Sequence, residues 1–136
     1  MKYKVVIADD HAMVCSAFTS MVNNFDTFEM LYEVHNGKQL LDKLRFVINV
    51  PDLILLDINM PEMNGFETLK VLQEKYPDIK VIGLSMNDEE ESYMKFIKLG
   101  GNGFVSKVAS KDNLHEAMKS VIEKGYYYTE EMTNSL

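Results

Sequence analysis

Leu53-Ile54-Leu55-Leu56-Asp57-Ile58-Asn59-Met60-Pro61 is the stretch on which the fold turns. Four consecutive large apolar residues are too few for a helix and lack any polar alternation, as expected of a strand covered on both faces. Pro51 stands shortly before the run, and a carboxylate ends it. The loop Ile58 to Pro61 follows. Asn64-Gly65 then opens a segment in which Phe66, Leu69 and Leu72 recur at helical spacing. A covered strand followed by an amphipathic helix makes one βα unit.

The same unit recurs along the chain. Val5-Val6-Ile7-Ala8, Met30-Leu31-Tyr32-Glu33-Val34, Val81-Ile82-Gly83-Leu84 and Gly103-Phe104-Val105 read as four further strands. Helices are expected where Met13, Val14, Ala17, Phe18, Met21 and Val22 recur, and again at Leu40, Leu41, Leu44, Val47 and Ile48. Two more are expected at Tyr93, Phe96, Ile97 and at Leu114, Ala117, Met118, Val121, Ile122. Pro77 precedes the fourth strand, Ser110 and Asp112 stand where the last helix needs a cap, and Gly125 ends it. Five βα units in a row imply an α/β fold with a parallel sheet and helices on both faces. Residues 1–125 are expected to form this one domain. Tyr126-Tyr127-Tyr128 and the polar residues 129–136 show no period and read as an extension or the start of a linker.

Composition limits what such a domain can do. Among 136 residues, 21 Asp and Glu outweigh 14 Lys and Arg, a formal net charge of −7 with the histidines neutral. An acidic surface argues against this domain holding nucleic acid by itself, and suits a divalent cation or a basic partner. The one cysteine, Cys15, makes no intramolecular disulfide and points weakly to a reducing compartment. No stretch approaches the roughly 20 apolar residues of a membrane span. After Lys2 and Lys4, Asp9 and Asp10 cut the first apolar run too short for a signal peptide, so a cytoplasmic location is expected. The ten methionines read as adaptable core filler.

In open parallel sheets the site lies beyond the carboxyl ends of the strands. Here those ends are polar. The first strand delivers Asp9-Asp10, the third Asp57, the fourth Ser85 and the fifth Lys107. Three carboxylates converging on one edge repel one another without a cation, and Mg²⁺ suits such oxygen donors. Lys107 adds a fixed positive charge and Ser85 a hydroxyl donor. Metal, carboxylate, ammonium and hydroxyl together fit a phosphoryl group, whose transfer depends mainly on positioning and charge neutralisation. Asp57, centred and held by its strand and loop, is the best nucleophile in the set.

Residues 3 to 125 resemble the receiver domain of two-component response regulators. The resemblance rests on the acidic pair after the first strand, on Asp57 in Leu56-Asp57-Ile58-Asn59-Met60-Pro61, on Gly65, Ser85 and Lys107, in order. It implies a flavodoxin-like doubly wound sheet of order 2-1-3-4-5 with five helices. It also implies that Asp57 accepts a phosphoryl group from a sensor histidine kinase, the domain promoting its own phosphorylation and dephosphorylation rather than acting as an enzyme on a separate substrate. By position, Asp10, Asp57 and the Asn59 backbone carbonyl are expected to ligate Mg²⁺, with Asp9 helping through water. Lys107 is expected to hold a phosphoryl oxygen, Ser85 to turn toward it after transfer, and Phe104 to be the switch aromatic. Asn59, Met86 and Asn87 would tune access and phosphate lifetime. Val108 after Lys107, the run Gly100 to Lys107 and the late Gly125-Tyr126-Tyr127-Tyr128 resemble receivers of the LuxR/NarL type. Such receivers precede a helix-turn-helix domain, which these 136 residues do not include. DNA contact and transcription regulation are then expected only through that domain, with a homodimer possible on phosphorylation.

Other readings stay open beside it. A haloacid-dehalogenase-like phosphatase also uses Asp, Mg²⁺, Ser or Thr and Lys on a parallel sheet, but it needs a second acid two residues after the nucleophile, where Asn59 stands. An unphosphorylated receiver-like module normally loses the acidic pair or the acceptor, and both are kept. Flavodoxin shares the topology, but no Ser/Thr-rich phosphate loop follows the first strand. His11, His35 and His115 lie in three different units without ligand spacing, so no histidine metal site is expected, and His11 reads as a residue flanking Asp10. Asp88 to Glu91 reads as the acidic first turn of a helix.

Overall fold

The computed structural model describes residues 1–86 and 90–128. Five strands alternate with five helices: β1 (Tyr3–Ala8), α1 (Ala12–Asn23), β2 (Phe28–Val34), α2 (Gly37–Leu44), β3 (Leu53–Asp57), α3 (Gly65–Lys75), β4 (Lys80–Ser85), α4 (Glu90–Lys98), β5 (Gly103–Ser106) and α5 (Lys111–Lys124). The strands form one sheet in the order β2-β1-β3-β4-β5, and every paired neighbour runs parallel. The expected order 2-1-3-4-5 is the observed one.

Alternate residues of a strand face opposite sides, so each central strand feeds two cores. Val6, Ile54, Leu56 and Val81 pack with Leu40 and Leu44 of α2, Leu69 and Leu72 of α3, and Phe96 of α4. Val5, Ile7, Leu53, Leu55, Ile82 and Leu84 pack with Cys15, Phe18 and Val22 of α1 and with Leu114, Ala117, Met118 and Val121 of α5. This double cover explains why β3 as far as Leu56 and β1 from Val5 to Ala8 are apolar.

Two helical expectations need correction. The α1 face was expected to include Met13 and Ala17, but both are exposed, and Cys15 is buried instead. The Cys15 thiol donates to the Asp9 carbonyl at 3.3 Å, and the buried stripe of α1 is Cys15, Phe18 and Val22. The second helix was expected to run on to Val47 and Ile48. It stops at Leu44, and a short 3-10 turn, Val47–Asn49, carries those two side chains into solvent, 90% and 84% exposed.

Local chemistry sets the other boundaries. Asn64 caps α3 by accepting from the Glu67 N–H while Glu67 accepts from the Asn64 N–H, a reciprocal capping box. Ser110 caps α5 through the Asn113 N–H, and Gly125 closes it in the left-handed region at φ 91°. Gly65 is required by proximity: a Cβ there would stand 2.5 Å from the Asp57 carbonyl oxygen and from Ile58 Cα. The first residue of α3 therefore presses on the backbone that carries Asp57.

Candidate functional site

The sequence places polar residues at the ends of β1, β3, β4 and β5, and the parallel register brings those ends to one edge. Ala8 pairs with Leu56, Asp57 with Leu84 and Ser85 with Ser106. Asp9 and Asp57 are fully buried, and the Lys107 side chain is nearly so. The Lys107 ammonium bridges them, Nζ lying 2.9 Å from Asp9 Oδ2 and 3.0 Å from Asp57 Oδ2. Neither Oδ2 has another partner among the described residues.

The loop beyond β3 is tied down around this pair. The Asn59 N–H donates to Asp57 Oδ1 at 2.9 Å, the Ile58 N–H to the Leu84 carbonyl at 3.2 Å, and the Gly65 N–H to the Ile58 carbonyl at 3.1 Å. The Lys107 N–H donates to the Ser85 carbonyl at 2.9 Å, which fixes the β5 end against β4. Ser85 is buried, Asn59 and Met86 are exposed, and Asp10 is about one third exposed. Asn87 lies outside the described residues. Phe104 is buried edge-on against Tyr93 and Phe96, with ring centroids 6.1 Å and 5.8 Å away. Gly83 of β4 makes its seat, since a Cβ there would stand 2.9 Å from the Phe104 ring.

Burial pushes the Asp57 carboxyl up to about 6; the Asn59 N–H and the Lys107 ammonium hold it back, and the charge of Asp9 adds to the rise. For Lys107, burial works to lower the pKa, but hydrogen bonds to Asp9 and Asp57 and their charges outweigh it and raise it. The Cys15 thiol is pushed up to about 12, chiefly by burial, so it is an inert core group at neutral pH.

Asp9, Asp10, His11 and Asp57 each offer a ligand atom, all within 4.8 Å of one another. Two of the three carboxylates are buried with an oxygen that meets only a lysine, so negative charge exceeds positive at the buried end of the pocket. This oxygen-rich donor set fits a hard divalent cation such as Mg²⁺. His11 is what reading the sequence missed. Its Nδ1 lies 3.0 Å from Asp9 Oδ1 and 3.3 Å from Asp10 Oδ1. The only signal was its position next to Asp10, since a search for spacing between histidines passes over a single imidazole joining a carboxylate pair.

A family model described as the response regulator receiver domain matches residues 5–119. Over 99% of its length the chain is 34% identical to the transcriptional regulatory protein DegU of Brevibacillus brevis, of which it covers 56%. It is 33% identical over 98% of its length to the oxygen regulatory protein NreC of Staphylococcus carnosus, covering 61% of that protein. The chain thus spans somewhat over half the length of these relatives. Among solved structures, the isolated REC domain of RcsB from Salmonella enterica serovar Typhimurium, determined with phosphomimetic BeF3−, superposes with a TM-score of 0.88 at 20% identity, covering 100% of this chain and 99% of that one. A LuxR-family two-component response regulator from Aurantimonas superposes at 0.85 with 14% identity, over 99% and 95% of the two chains. At these identities the structural likeness is one of fold.

Proposed function

The chain belongs to the receiver domains of two-component response regulators, and from that premise we propose that it is a switch operated by phosphorylation of Asp57. The observation that carries this reading is the buried bridge Asp9–Lys107–Asp57 at the sheet edge, with Asp10 beside it. Its phosphodonor is a phosphohistidine on a sensor histidine kinase. An Asp57 carboxylate oxygen bonds to phosphorus while the phosphorus–nitrogen bond breaks; the electron pair of that bond stays on the imidazole nitrogen, which is protonated as it leaves. Water then attacks phosphorus, breaks the acyl phosphorus–oxygen bond and returns Asp57 as a carboxylate with free phosphate.

The chain's own residues position and neutralise. Lys107, already in contact with Asp57, moves with a phosphoryl oxygen, and Ser85 donates to another. Asp10, Asp57 and the Asn59 carbonyl would hold Mg²⁺, with Asp9 helping through water, and the ion would supply positive charge that lowers repulsion between an incoming phosphoryl group and the carboxylates. Exposed Asn59 and Met86, with Asn87, tune the access of water and so the phosphate lifetime. Phe104 is the switch aromatic, its inward place supported by Gly83. Residues 1–125 are the receiver and 126–136 an extension or linker start. Output runs through a DNA-binding domain of the LuxR/NarL type in transcription regulation, with homodimerisation of the phosphorylated form and a cytoplasmic location. The domain promotes its own phosphoryl transfer and turns over no separate substrate.

Acetyl phosphate with Mg²⁺ should add one hydroxylamine-labile phosphate per chain, lost on chelation and in Asp57→Asn. Undiminished labelling of Asp57→Asn overturns the assignment.

A further inference from the structure

The end of the sheet opposite Asp57 carries a second recess. Tyr3 opens β1 and Phe28 opens β2, and the two are paired across the sheet with ring centroids 5.8 Å apart. Their backbone is tied, the Tyr3 N–H donating to the Thr27 carbonyl at 2.8 Å. The other wall is α5, on which His115, Lys119 and Ile122 follow at i, i+4 and i+7 and so share one side of the helix. Between rings and helix lies a cleft of about 300 Å³, with Asp26 and Glu123 also in its lining. Its size reaches the lower end of the range for small-molecule sites.

The polar groups of this lining are left unused by the fold. The His115 ring lies 4.5 Å from Phe25 and meets Phe28 edge-on at 6.4 Å, but neither ring nitrogen has a hydrogen-bond partner among the described residues. Asp26, Lys119 and Glu123 are exposed, and among the described residues they enter no ion pair and no side-chain hydrogen bond. Lys119 and Glu123 stand four apart on one helix, in the order that pairs less well. Two carboxylates against one lysine favour positive charge in the cleft. The negative face of an aromatic ring favours it independently.

We propose that this cleft is a binding site for a small organic monocation, an ammonium group on an aromatic or apolar body. The body lies against Tyr3, Phe28 and Ile122, and the ammonium meets the carboxylates of Asp26 and Glu123, with a His115 nitrogen open to accept from it. An anion of the same shape finds only Lys119. The cleft shares no residue with the pocket around Asp57, so this binding stands or falls independently of phosphoryl transfer.

Phenethylammonium, phenylalanine and hydrocinnamate share a phenylalkyl body and differ in charge, which makes them the probes. In aromatic ¹H–¹³C NMR of the whole chain, phenethylammonium should shift Tyr3, Phe28 and His115 saturably, with a dissociation constant on the order of 1 mM for so small a ligand. Phenylalanine should bind less tightly, and hydrocinnamate at least about tenfold more weakly than the amine. Asp26→Asn combined with Glu123→Gln changes two exposed side chains and leaves the fold intact. Since an exposed ion pair contributes little singly, the double variant should weaken the amine about fivefold without weakening hydrocinnamate. Failure of the amine to shift these rings at concentrations well above the expected constant overturns the proposal. So does hydrocinnamate binding as tightly as the amine, or an unchanged amine affinity in the double variant. Shifts scattered over the acidic surface that leave the three rings unmoved show general charge attraction and overturn it as well.

Discussion

At the scale of single residues, Asp57 is held where its charge is least welcome. Its carboxyl is pushed up to about 6 from an ordinary 3.8, burial being the first cause. Between roughly pH 4 and pH 6 the folded chain holds a proton that the unfolded chain has released, so this group's contribution to stability falls as pH rises through that window. Without divalent cation at pH 7, Asp57→Asn should therefore be more stable than wild type, with the difference shrinking toward pH 4. Lys107 keeps Asp9 as partner in that variant. Urea unfolding across this range checks it; a variant that loses ground to wild type as pH rises refutes the account. Added Mg²⁺ should narrow the gap by binding only the folded state. Asp9, Asp57 and Lys107 were legible in the sequence because strand ends in a parallel sheet share one edge. His11 was not, because its role depends on a turn and a ring orientation that no spacing encodes.

At the scale of elements, strands were easier to read than helix faces. A run covered on both sides, such as Leu53 to Leu56, admits one reading, whereas α1 carries apolar or small residues on more than one side and its buried stripe, Cys15, Phe18 and Val22, is set by packing against the sheet and α5. The end of α2 shows the same limit. Val47 and Ile48 continue the helical spacing, but the last carbonyls are already taken, that of Lys43 by Asn49 Nδ2 at 3.2 Å and that of Leu44 by the Tyr76 hydroxyl at 3.1 Å. Pro51 also holds Val50 extended, which leads the chain into β3. Position in the pattern thus predicts equal cost for Leu44 and Ile48, and burial predicts a large difference. Leu44→Ala should cost about 2–5 kcal/mol, and Ile48→Lys should stay within about 0.5 kcal/mol of wild type. Urea midpoints decide between them, and comparable losses at the two positions would restore the longer helix.

At the scale of the whole molecule, the folded body does not stop where α5 does. Beyond Gly125 the chain turns back along the free edge of β5: Tyr127 forms a parallel bridge with Gly103, its N–H donating to the Asn102 carbonyl at 2.8 Å. Asn102 links the same region twice more, its Nδ2 donating to the Gly125 carbonyl at 3.0 Å and its Oδ1 accepting from the Val81 N–H at 2.8 Å. The Tyr127 hydroxyl accepts from Asn113 Nδ2 at 3.2 Å, while Tyr127 and Tyr128 pack against opposite cores. The three tyrosines lacked a period because a single bridge is too short to show one. A chain ending at Gly125 loses three hydrogen bonds, the third from the Ser120 hydroxyl to the Tyr126 carbonyl, worth about 1 kcal/mol each, and the partial burial of two rings, so it should unfold at least about 3 kcal/mol more easily than one ending at Tyr128. Gly103 opens β5 at the end away from Asp57, so both chains should take phosphate from acetyl phosphate to the same extent under native conditions. Equal stability would show that the tyrosines only lie on the sheet edge, and loss of labelling in the shorter chain would show that they help to hold the site itself.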